Sequence, residues 1–402
     1  METKIITTEL DEAARLLREG ELVAVPTETV YGLAGNGLDV QAVEAIYEVK
    51  GRPAVKPLSL MVPDAEAMDR YCEAVPPQAK ALAARFWPGP LTIVLKAKEL
   101  VPAIVRAGGE TVGLRCPDHP MTLELLRCCG LPLAAPSANP SGAESPKTAQ
   151  KVLEYFDGRI DAVIDGGHCG IGTESTILDM SARPFRILRQ GALAAEAIAD
   201  ALVDGMTIIG ITGGTGCGKT TALMELESLG ALILDCDAIY HELLESSREL
   251  LAEIDSNYPG VVRDGKLERK ALGAVVFRDA DALQRLNRIT HSHVDREVTR
   301  RLREHAMAGG TLAAIDAIEL ISSGISRRCD KTVAVVADEE RRIERIMARD
   351  NIDRAYAEMR VRAQRPASYF EENCEHVLWN NADQASFRKA CRQLFKEITA
   401  HG

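Results

Sequence analysis

The feature that most constrains this chain is a glycine-rich sequence near its midpoint. Residues 213–220 read GGTGCGKT and fit the pattern GxxxxGK followed by Ser or Thr, which forms a phosphate-binding P-loop between a strand and a helix. The apolar segment TIIGIT precedes this sequence, and the helical pattern TTALMELESLG follows it. Because a P-loop domain usually begins with that strand, the long stretch of chain before it predicts a separate domain.

The length of the chain also predicts two domains, since 402 residues exceed what one ordinary hydrophobic core organises. The segment AAEAIADALVDG predicts a helix that ends at Gly205, and Met206 then stands where an independent chain would start. We therefore predict domains at residues 1–204 and 206–402 with almost no linker, and we interpret Met206 as the former initiator of a fused gene. An ordinary Met at a strand start is the alternative for this residue taken alone.

Short β-rich segments alternate with helical patterns on both sides of the junction, which predicts an α/β fold throughout. The second half predicts a doubly wound parallel sheet with crossover helices. Its predicted strands are TIIGITG, GALILDCD, TLAAIDAI and DKTVAVVAD. The first half predicts a helix over QAVEAIYEVK that ends at Gly51, together with strands in ELVAVPTETVYGLAG, PLTIVLKA, TVGLRCP, DAVIDGG and ESTILDM.

Composition argues against several classes of protein. A formal net charge of -11 and an aromatic content of 4% do not suit general nucleic-acid binding, which needs cations and stacking rings. The sequence has no apolar run near the roughly 20 residues that cross a bilayer and no pattern of a signal peptide. Ten cysteines without CxxC spacing predict reduced thiols and a cytoplasmic location, with no membrane partner.

The residue types of the P-loop follow from the chemistry of phosphate binding. Glycines let backbone N–H groups converge on the phosphates of ATP, Lys219 would reach the β- and γ-phosphates, and the Thr220 hydroxyl would bind Mg²⁺. The predicted ATP contacts here are Gly213, Gly214, Thr215, Gly216, Cys217, Gly218, Lys219, Thr220 and Thr221. Asp235 and Asp237, at the end of the next predicted strand, could accept the proton of an attacking hydroxyl, although a helix cap is the alternative for a lone Asp there.

The order of these motifs resembles that of the dephospho-coenzyme A kinases over nearly all of residues 206–402. The likeness extends from IGITGGTGCGKTT and LGALILDCDAIYHELL through VAVVADEERRIERIMARDNIDRAYAEMRVRAQ to NNAD. It implies transfer of phosphate from ATP to the 3′-hydroxyl of dephospho-coenzyme A. By position, Lys219 and Asp237 would be catalytic with Asp235 close by, and Arg345 and Arg349 would belong to a lid over the phosphates.

Two departures from the kinase pattern leave an alternative open. Cys217 stands where that family commonly has Ser, and IDAIELISSG replaces a usual Pro-Leu-Leu-aromatic-Glu run, so Ile318 and Ser322 differ from the family. A kinase for another small hydroxyl compound is therefore the alternative. His291 and His293 lack further metal ligands nearby in the sequence, and we expect them to be structural or to face the substrate.

The first half has no P-loop, but several of its loops carry cations or hydroxyl groups beside predicted strands. These loops contain PTETVYGL, VKGRPAVKPL, GLRCP, APSANPSG, GTESTI and ILRQG. Because an acidic chain that gathers Lys and Arg in such loops concentrates positive charge locally, we predict a site for a small anionic ligand. A long polyanion is not expected there.

The same motifs, with FWPGPLTIVL, resemble those of the threonylcarbamoyl-AMP synthases over about residues 1–195. The resemblance implies a YrdC-like twisted, mainly parallel sheet with a positively charged cavity. It implies that L-threonine, bicarbonate and ATP, with Mg²⁺, give threonylcarbamoyl-AMP and pyrophosphate, and that the product passes to the complex that modifies tRNA. By motif position, Thr29, Arg115 and Ser175 would hold threonine. The implied ATP contacts are Lys50, Arg52, Lys56, Thr111, Ser137, Asn139, Ser145 and Arg189.

An RNA-binding or regulatory module is the alternative for the first half, because proteins of this fold family have been linked to RNA, including double-stranded RNA. The acidity of the chain and its few aromatic residues count against this alternative.

Overall fold

The computed structural model describes residues 2–400, and its chain divides into two compact units. The first unit extends to Gly205 and includes Met307–Gly309, and the second comprises Met206–Ala306 and the residues from Gly310 onward. Both units combine helices with a β-sheet, so the predicted α/β class is confirmed.

The chain of the first unit forms ten strands and seven helices among the described residues. In chain order these are β1 (Lys4–Ile6), α1 (Leu10–Arg18), β2 (Val23–Val25), β3 (Gly32–Asn36), α2 (Val40–Lys50), β4 (Ser59–Met61), α3 (Ala67–Tyr71), α4 (Pro77–Phe86), β5 (Leu91–Lys96), β6 (Thr111–Arg115), α5 (Pro120–Cys129), β7 (Leu133–Ala134), α6 (Ala149–Phe156), β8 (Ala162–Ile164), β9 (Thr176–Asp179), β10 (Arg186–Arg189) and α7 (Ala195–Asp204).

The ten strands form one sheet in the order β1-β8-β2-β3-β7-β4-β6-β5-β9-β10. Four of its nine pairings are parallel and five are antiparallel, so the sheet is mixed and the expected majority of parallel pairs needs correction. The physical reason is that β2–β3, β5–β6 and β9–β10 follow each other without a helix between them. A parallel pair requires a long crossover, which these connections do not supply.

Helix α2 shows how the sequence sets the boundaries of these elements. The Asp39 side chain accepts a hydrogen bond from the Gln41 N–H at the helix start, and Gly51 ends the helix at φ +56°. Ala42, Val43 and Ile46 lie on its buried face. The predicted helix and its glycine stop are confirmed, and Lys50 is thereby fixed at the last position before the stop.

Strand register brings several loops to one edge of this sheet. The carboxyl end of β6 pairs with that of parallel β4, where Arg115 lies opposite Met61. The same end of β6 lies beside the amino ends of β5 and β9, and Arg189 at the end of β10 lies opposite Ile177 of β9. The residues that follow β4 and β6 and those that precede β9 therefore lie near one another.

After Gly205 the described chain forms a second set of elements. In order these are β11 (Thr207–Thr212), α8 (Lys219–Ser228), β12 (Leu232–Asp235), α9 (Cys236–Ser246), α10 (Arg248–Asn257), β13 (Val262–Arg263), β14 (Lys266–Leu267), α11 (Arg269–Val276), α12 (Ala280–Met307), β15 (Leu312–Asp316), a 3-10 helix (Ile325–Arg328), β16 (Lys331–Val336), α13 (Glu339–Asp350), α14 (Arg354–Arg362), α15 (Ala367–Asn373), β17 (His376–Trp379) and α16 (Gln384–Ala400).

The sheet of the second unit has the order β12-β15-β11-β16-β17, and all of its pairings are parallel. This confirms the predicted parallel sheet and its four predicted strands. The sequence did not predict β17 or the small β13–β14 hairpin, which stands apart from the sheet. Buried residues of β11 and β16 pack with Phe387 and Phe395 of α16, so the last helix covers one face of the sheet.

Candidate functional sites

A cavity of about 140 Å³ lies in the first unit. Its lining includes six of the residues that the sequence singled out, contributed by separate loops and strand ends. These six are Thr29, Arg52, Arg115, Ser137, Ser175 and Arg189. The structure thus brings three arginines and three hydroxyl groups together around one hollow, which suits a small ligand with several negative charges.

Arg115 dominates one side of this cavity. Its Nη2 donates hydrogen bonds to Glu28 Oε1 at 2.7 Å and to Thr29 Oγ1 at 2.8 Å. The second carboxylate oxygen of Glu28 accepts from the Asp118 N–H at 3.0 Å, so Glu28 is held at both oxygens. Glu28 therefore orients the guanidinium group, a role that the sequence did not predict because its partners come from β6 and the loop that follows it.

Lys50 lies behind Ser137, a residue that lines the cavity, and it is almost completely buried. Its Nζ donates hydrogen bonds to the backbone oxygens of Ser137 and, at 2.5 Å, of Asn139. Burial, with a smaller contribution from Arg52, lowers the pKa of Lys50 to about 8. Asn139 Oδ1 is buried without a hydrogen-bond partner among the described residues, although its Nδ2 donates to Ala143 O at 2.6 Å.

Arg189 contacts two other residues that line the cavity, Ser175 and Glu174. Its Nε and Nη2 donate to Ser175 O at 3.1 and 2.9 Å, and the Ser175 hydroxyl lies 2.9 Å from that of Thr92. The Nη1 of Arg189 donates to the carboxylate of Glu174, which also accepts from Ser145 Oγ at 3.2 Å. Ser145 is therefore connected to the cavity through Glu174 and does not itself line it.

Lys56 and Thr111 are not brought to this cavity. Lys56 is exposed, and its backbone oxygen accepts a hydrogen bond from Arg52 Nε at 3.3 Å. Thr111 begins β6 and pairs with Lys96, four residues before Arg115. At about 3.3 Å per strand residue, Thr111 lies about 13 Å along the strand from Arg115, toward the opposite edge of the sheet. Motif position alone did not reveal at which end of the strand each residue stands.

The P-loop of the second unit connects β11 to α8 in a backbone conformation that requires glycine. Gly213 has φ +138°, and a Cβ there would approach Val335 O to 2.1 Å. Gly218 has φ +99° and caps the start of α8, where a Cβ would approach Asn380 Nδ2 to 2.1 Å. Any residue other than glycine would be strained at both positions, and the positive end of α8 faces the loop.

The carbonyl groups of three successive P-loop residues are held from outside by later side chains. Arg342 Nε donates to Thr215 O at 3.0 Å, Arg345 Nη1 donates to Gly216 O at 3.2 Å, and Asn380 Nδ2 donates to Cys217 O at 2.8 Å. A peptide carbonyl and the N–H of the next residue point in opposite directions. These contacts therefore turn the following N–H groups toward the interior of the loop, although that of Cys217 also makes a long 3.3 Å bond to Gly214 O.

Of the two predicted lid arginines, only Arg345 contacts the P-loop. Arg349 donates to Asp350 at 2.7 and 3.1 Å, at the end of α13. The sequence did not predict Arg342 or Gln364, which bonds both the N–H and the hydroxyl of Thr215, at 2.9 and 2.8 Å. No local pattern marks these residues, because their partners are more than 120 residues away in the chain.

Lys219 begins α8, and its Nζ donates to Gly213 O at 3.1 Å. The same nitrogen lies 3.9 Å from Asp316 Oδ1 at the carboxyl end of β15. Burial raises the pKa of the Asp316 carboxyl to about 6, Lys219 lowers it, and Asp235 and Asp237 add smaller increases. Sequence analysis did not predict a role for Asp316. An Asp at the end of a predicted strand in a P-loop domain was the pattern that could have indicated it.

These residues fit a bound Mg²⁺ ion. Asp316 Oδ1 is buried without a hydrogen-bond partner among the described residues, and Thr220 follows Lys219 with an exposed side chain. A carboxylate and a hydroxyl are the two protein ligands that P-loop proteins supply to Mg²⁺. Within residues 2–400, no group of three or more His, Cys, Asp or Glu side chains is placed to hold a metal ion by itself.

The two aspartates that follow β12 differ in their surroundings. Asp235 Oδ1 accepts hydrogen bonds from the N–H groups of Asp237 and Ala238, at 2.9 and 3.0 Å, and so caps α9. The alternative weighed for a lone Asp at a strand end thus applies to Asp235, while Asp237 is exposed and lines a neighbouring cavity. Asp237 is therefore the better placed of the two to meet a second substrate.

That neighbouring cavity has a volume of about 670 Å³ and is lined by α9, α12 and residues 317–328. Ile318 and His291 line it, whereas His293 is buried in α12 with its Nε2 2.7 Å from Glu253 Oε2. The two histidines thus point to different surroundings, one beside the cavity and one structural. A pocket of this size accommodates a molecule much larger than a phosphate ion.

The fold and these geometries define the chain as a two-unit nucleotide-binding protein, with a P-loop in one unit and a cation-lined cavity in the other. The family model described as telomere recombination (Sua5, YciO and YrdC) matches residues 15–191, and the dephospho-CoA kinase model matches residues 207–386.

Individual relatives agree with both matches. A Methanocaldococcus jannaschii protein, provisionally named threonylcarbamoyl-AMP synthase, is 37% identical over 45% of this chain and 84% of its own length. The dephospho-CoA kinase of Geobacter sulfurreducens is 33% identical over 47% of this chain and 98% of its own length. The chain therefore belongs to the threonylcarbamoyl-AMP synthase family through its first unit and to the dephospho-CoA kinase family through its second.

The threonylcarbamoyl-AMP synthase of Pyrococcus abyssi is 48% identical over 46% of this chain, and the match covers 55% of that protein. The chain thus spans about half the length of this relative, as it does for the Bacillus subtilis protein of the same name. No helix in residues 2–400 is both long and apolar enough to cross a membrane.

Proposed function

We propose that this chain is a bifunctional ATP-using enzyme. The part up to residue 204 forms threonylcarbamoyl-AMP from L-threonine, bicarbonate and ATP, and residues 206–402 phosphorylate the 3′-hydroxyl of dephospho-coenzyme A. The observation that carries the proposal is the convergence of Arg52, Arg115 and Arg189 on one cavity with Lys50 directly behind it. Without that convergence, the first unit would have no place for a nucleotide.

In the first reaction, the amino nitrogen of threonine adds to CO₂ derived from bicarbonate, and an oxygen of the resulting carbamate attacks the α-phosphorus of ATP. The bond to pyrophosphate then breaks. No nucleophilic side chain is needed, so positioning and charge neutralisation supply the catalysis. Arg115 pairs with the threonine carboxylate, aligned by Glu28 and Thr29, and Ser175 contacts the same substrate.

The nucleotide side of that site is formed by Lys50, Arg52, Ser137 and Arg189, with Asn139 and Ser145 supporting them. Lysine and arginine together neutralise phosphate oxygens, and the planar guanidinium groups bind two oxygens at once. Mg²⁺ would accompany ATP here as well. Lys56 and Thr111 have no role in this proposal, because the Lys56 side chain is exposed and Thr111 lies about 13 Å along β6 from Arg115.

In the second reaction, the 3′-hydroxyl oxygen attacks the γ-phosphorus of ATP, ADP leaves, and Asp237 accepts the hydroxyl proton. The P-loop amides and Lys219 bind the phosphates and neutralise the charge that develops on them. Mg²⁺, held by Thr220 and Asp316 together with ATP, would supply further neutralisation. The cavity beside Asp237 has a volume of about 670 Å³, which is within the range of small-molecule sites, and Ile318 forms part of its wall.

We further propose a cytoplasmic location and transfer of the adenylate to the machinery that modifies tRNA. The ten cysteines, all of which are free thiols in the structure, support a reducing compartment. No observation on the first unit favours RNA binding over a small-molecule site.

The test incubates the purified chain with ATP and Mg²⁺ and adds one substrate set at a time. Threonine with bicarbonate should release pyrophosphate, and dephospho-coenzyme A should yield ADP. Nucleoside monophosphates and other small alcohols serve as competing acceptors, because the 317–328 segment departs from the kinase pattern. Absence of pyrophosphate release would overturn the first activity, and a preferred acceptor other than dephospho-coenzyme A would overturn the second.

A further inference from the structure

The cavity of the first unit is too small for the nucleotide that we propose it binds. Its volume of about 140 Å³ falls below the roughly 300–1,000 Å³ of small-molecule sites. A lining side chain that turns toward solvent would enlarge the space that ATP can occupy. Among the described residues that line this cavity, Glu174 is the one that carries a carboxylate, so it is also the one that a triphosphate would repel.

Glu174 uses hydrogen-bond donors that ATP needs. Its carboxylate accepts from Arg189 Nη1 and from Ser145 Oγ; Arg189 is a proposed nucleotide contact, and Ser145 supports the same side of the cavity. Burial lowers the pKa of Lys50 and of Arg52, and the negative charge of Glu174 partly opposes that effect at both residues. In the free protein, Glu174 thus acts as the counterion of the cations on the nucleotide side.

The Glu174 side chain can leave without disturbing its surroundings. Its backbone oxygen accepts from the Ala192 N–H at 2.9 Å, and a Cβ on Gly191 would come within 2.3 Å of that oxygen, so the main chain is tightly fixed. Arg189 remains attached to Ser175 O through Nε and Nη2 when Nη1 is released. The Glu174 side chain itself is 35% exposed and can turn toward solvent.

The other glutamate beside the cavity behaves differently. The side chain of Glu28 is 11% exposed, and both of its oxygens are fixed, one by Arg115 and the other by the Asp118 N–H. Moving Glu28 would leave the buried Arg115 without its negatively charged partner, which is strongly unfavourable. Glu28 therefore stays in place to orient Arg115, and Glu174 is the residue free to move.

We propose that Glu174 is an internal anion that occupies the nucleotide side of the cavity in the free protein and that the phosphates of ATP displace it. This proposal rests on the proposed function of the first unit. On binding, Arg189 and Ser145 exchange a carboxylate for phosphate oxygens, so their hydrogen bonds are conserved. This competition weakens the apparent affinity for ATP. Removing the carboxylate should therefore increase the apparent affinity for ATP.

The test measures the KM for ATP in threonine-dependent pyrophosphate release, to which the P-loop site does not contribute. Glu174→Gln keeps the shape and removes the charge, and the KM should fall about two- to five-fold, as expected for a partly exposed ion pair. Glu174→Asp keeps the charge but shortens the side chain, so it should lose the contact with Arg189 and give a similar fall. Glu99→Gln makes the same charge change at an exposed loop residue outside the cavity lining and should change nothing.

A KM that is unchanged or higher in Glu174→Gln overturns the proposal. Wild-type behaviour of Glu174→Asp also overturns it, because charge alone, without displacement, would then explain the effect. If the wild type releases no pyrophosphate, the proposed function fails, and binding of a non-hydrolysable ATP analogue decides the present proposal separately. With Lys219→Ala in both proteins, tighter binding by Glu174→Gln supports displacement, and equal or weaker binding overturns it.

Discussion

Replacing Asp316 by Asn is expected to stabilise the folded second unit at pH 8 while removing its phosphotransfer activity. The Asp316 side chain is 13% exposed, and burial raises the pKa of its carboxyl from 3.8 to about 6. A rise of about 2 pKa units corresponds to about 3 kcal/mol, which is the amount by which the ionised carboxylate destabilises the folded state. Asn is neutral at every pH, and the loss of this charge should raise the free energy of unfolding by about 1–3 kcal/mol once imperfect hydrogen bonding of the amide is allowed for.

The gain should depend on pH in one direction. Above pH 6 the folded wild-type protein holds Asp316 ionised in a buried place, so the destabilisation is complete. As the pH falls from 6 toward 3.8, Asp316 takes up a proton in the folded state while it stays ionised in the unfolded state, and the wild type recovers stability. Below pH 3.8 the carboxyl is protonated in both states, and the Asp and Asn proteins should differ little.

Each unit contains one of the two tryptophans, Trp87 in the first and Trp379 in the second, which gives the assay its reporter. In a Trp87→Phe background, urea unfolding followed by Trp379 fluorescence reports on the second unit. Midpoints are compared at pH 8, 6 and 4.5 without nucleotide or Mg²⁺. In parallel, formation of ADP with dephospho-coenzyme A should fall about 10²- to 10³-fold, because the proposed Mg²⁺ ligand is lost.

Equal stability of the two proteins at pH 8 would refute the reasoning, and so would a gain that stays the same down to pH 4.5. Either result would mean that burial does not oppose ionisation of Asp316. Full kinase activity of the Asn protein would instead remove Asp316 from the proposed reaction while leaving the stability account intact.

Three further substitutions test the two sites. Lys219→Ala should lower kinase turnover about 10²- to 10³-fold and leave threonine-dependent pyrophosphate release within about two-fold, and loss of both activities would contradict independent sites. Arg115→Lys should raise the KM for threonine about 10- to 100-fold and change the KM for ATP little, since an ammonium group cannot replace a guanidinium that binds two oxygens. An unchanged KM for threonine would refute the proposed pairing of Arg115 with the threonine carboxylate. Gly218→Ala should abolish ATP binding by the P-loop, because φ is +99° and the new Cβ meets Asn380 Nδ2. Calorimetry should then detect one ATP site where the wild type has two, and two sites of unchanged affinity would show that the loop tolerates a side chain.

Most of the features that the sequence could predict depend on residues close together in the chain. The P-loop glycines, the strand before them and the cap at Gly51 are each specified within a few residues, and the structure has them where the patterns indicated. The loops of the first unit were also recognisable, because cations beside buried strands in an acidic chain are informative on their own.

What sequence reasoning missed depends on contacts between distant parts of the chain. Glu28 and Glu174 have their roles because they bond to Arg115 of β6 and Arg189 of β10. Asp316 has its role because the register of β12 and β15 places it beside Asp235. Thr111 illustrates the same limit, because β6 has two ends and the motif does not say which one faces the cavity. The mixed order of the first sheet likewise arises from long-range pairing that no segment encodes by itself.

Side chains from late in the chain hold the carbonyl groups of the P-loop, and this has a consequence for biosynthesis on the ribosome. The side chains that fix Thr215, Gly216 and Cys217 lie 127, 129 and 163 residues further along the chain. At translation rates of about 5–20 residues per second, about 8–30 s pass between the synthesis of the P-loop and the synthesis of Asn380, the last residue that holds it. A ribosome that stalls inside α14 therefore leaves a chain in which Asn380 is absent, so the carbonyl of Cys217 lacks the contact that holds it in the finished protein.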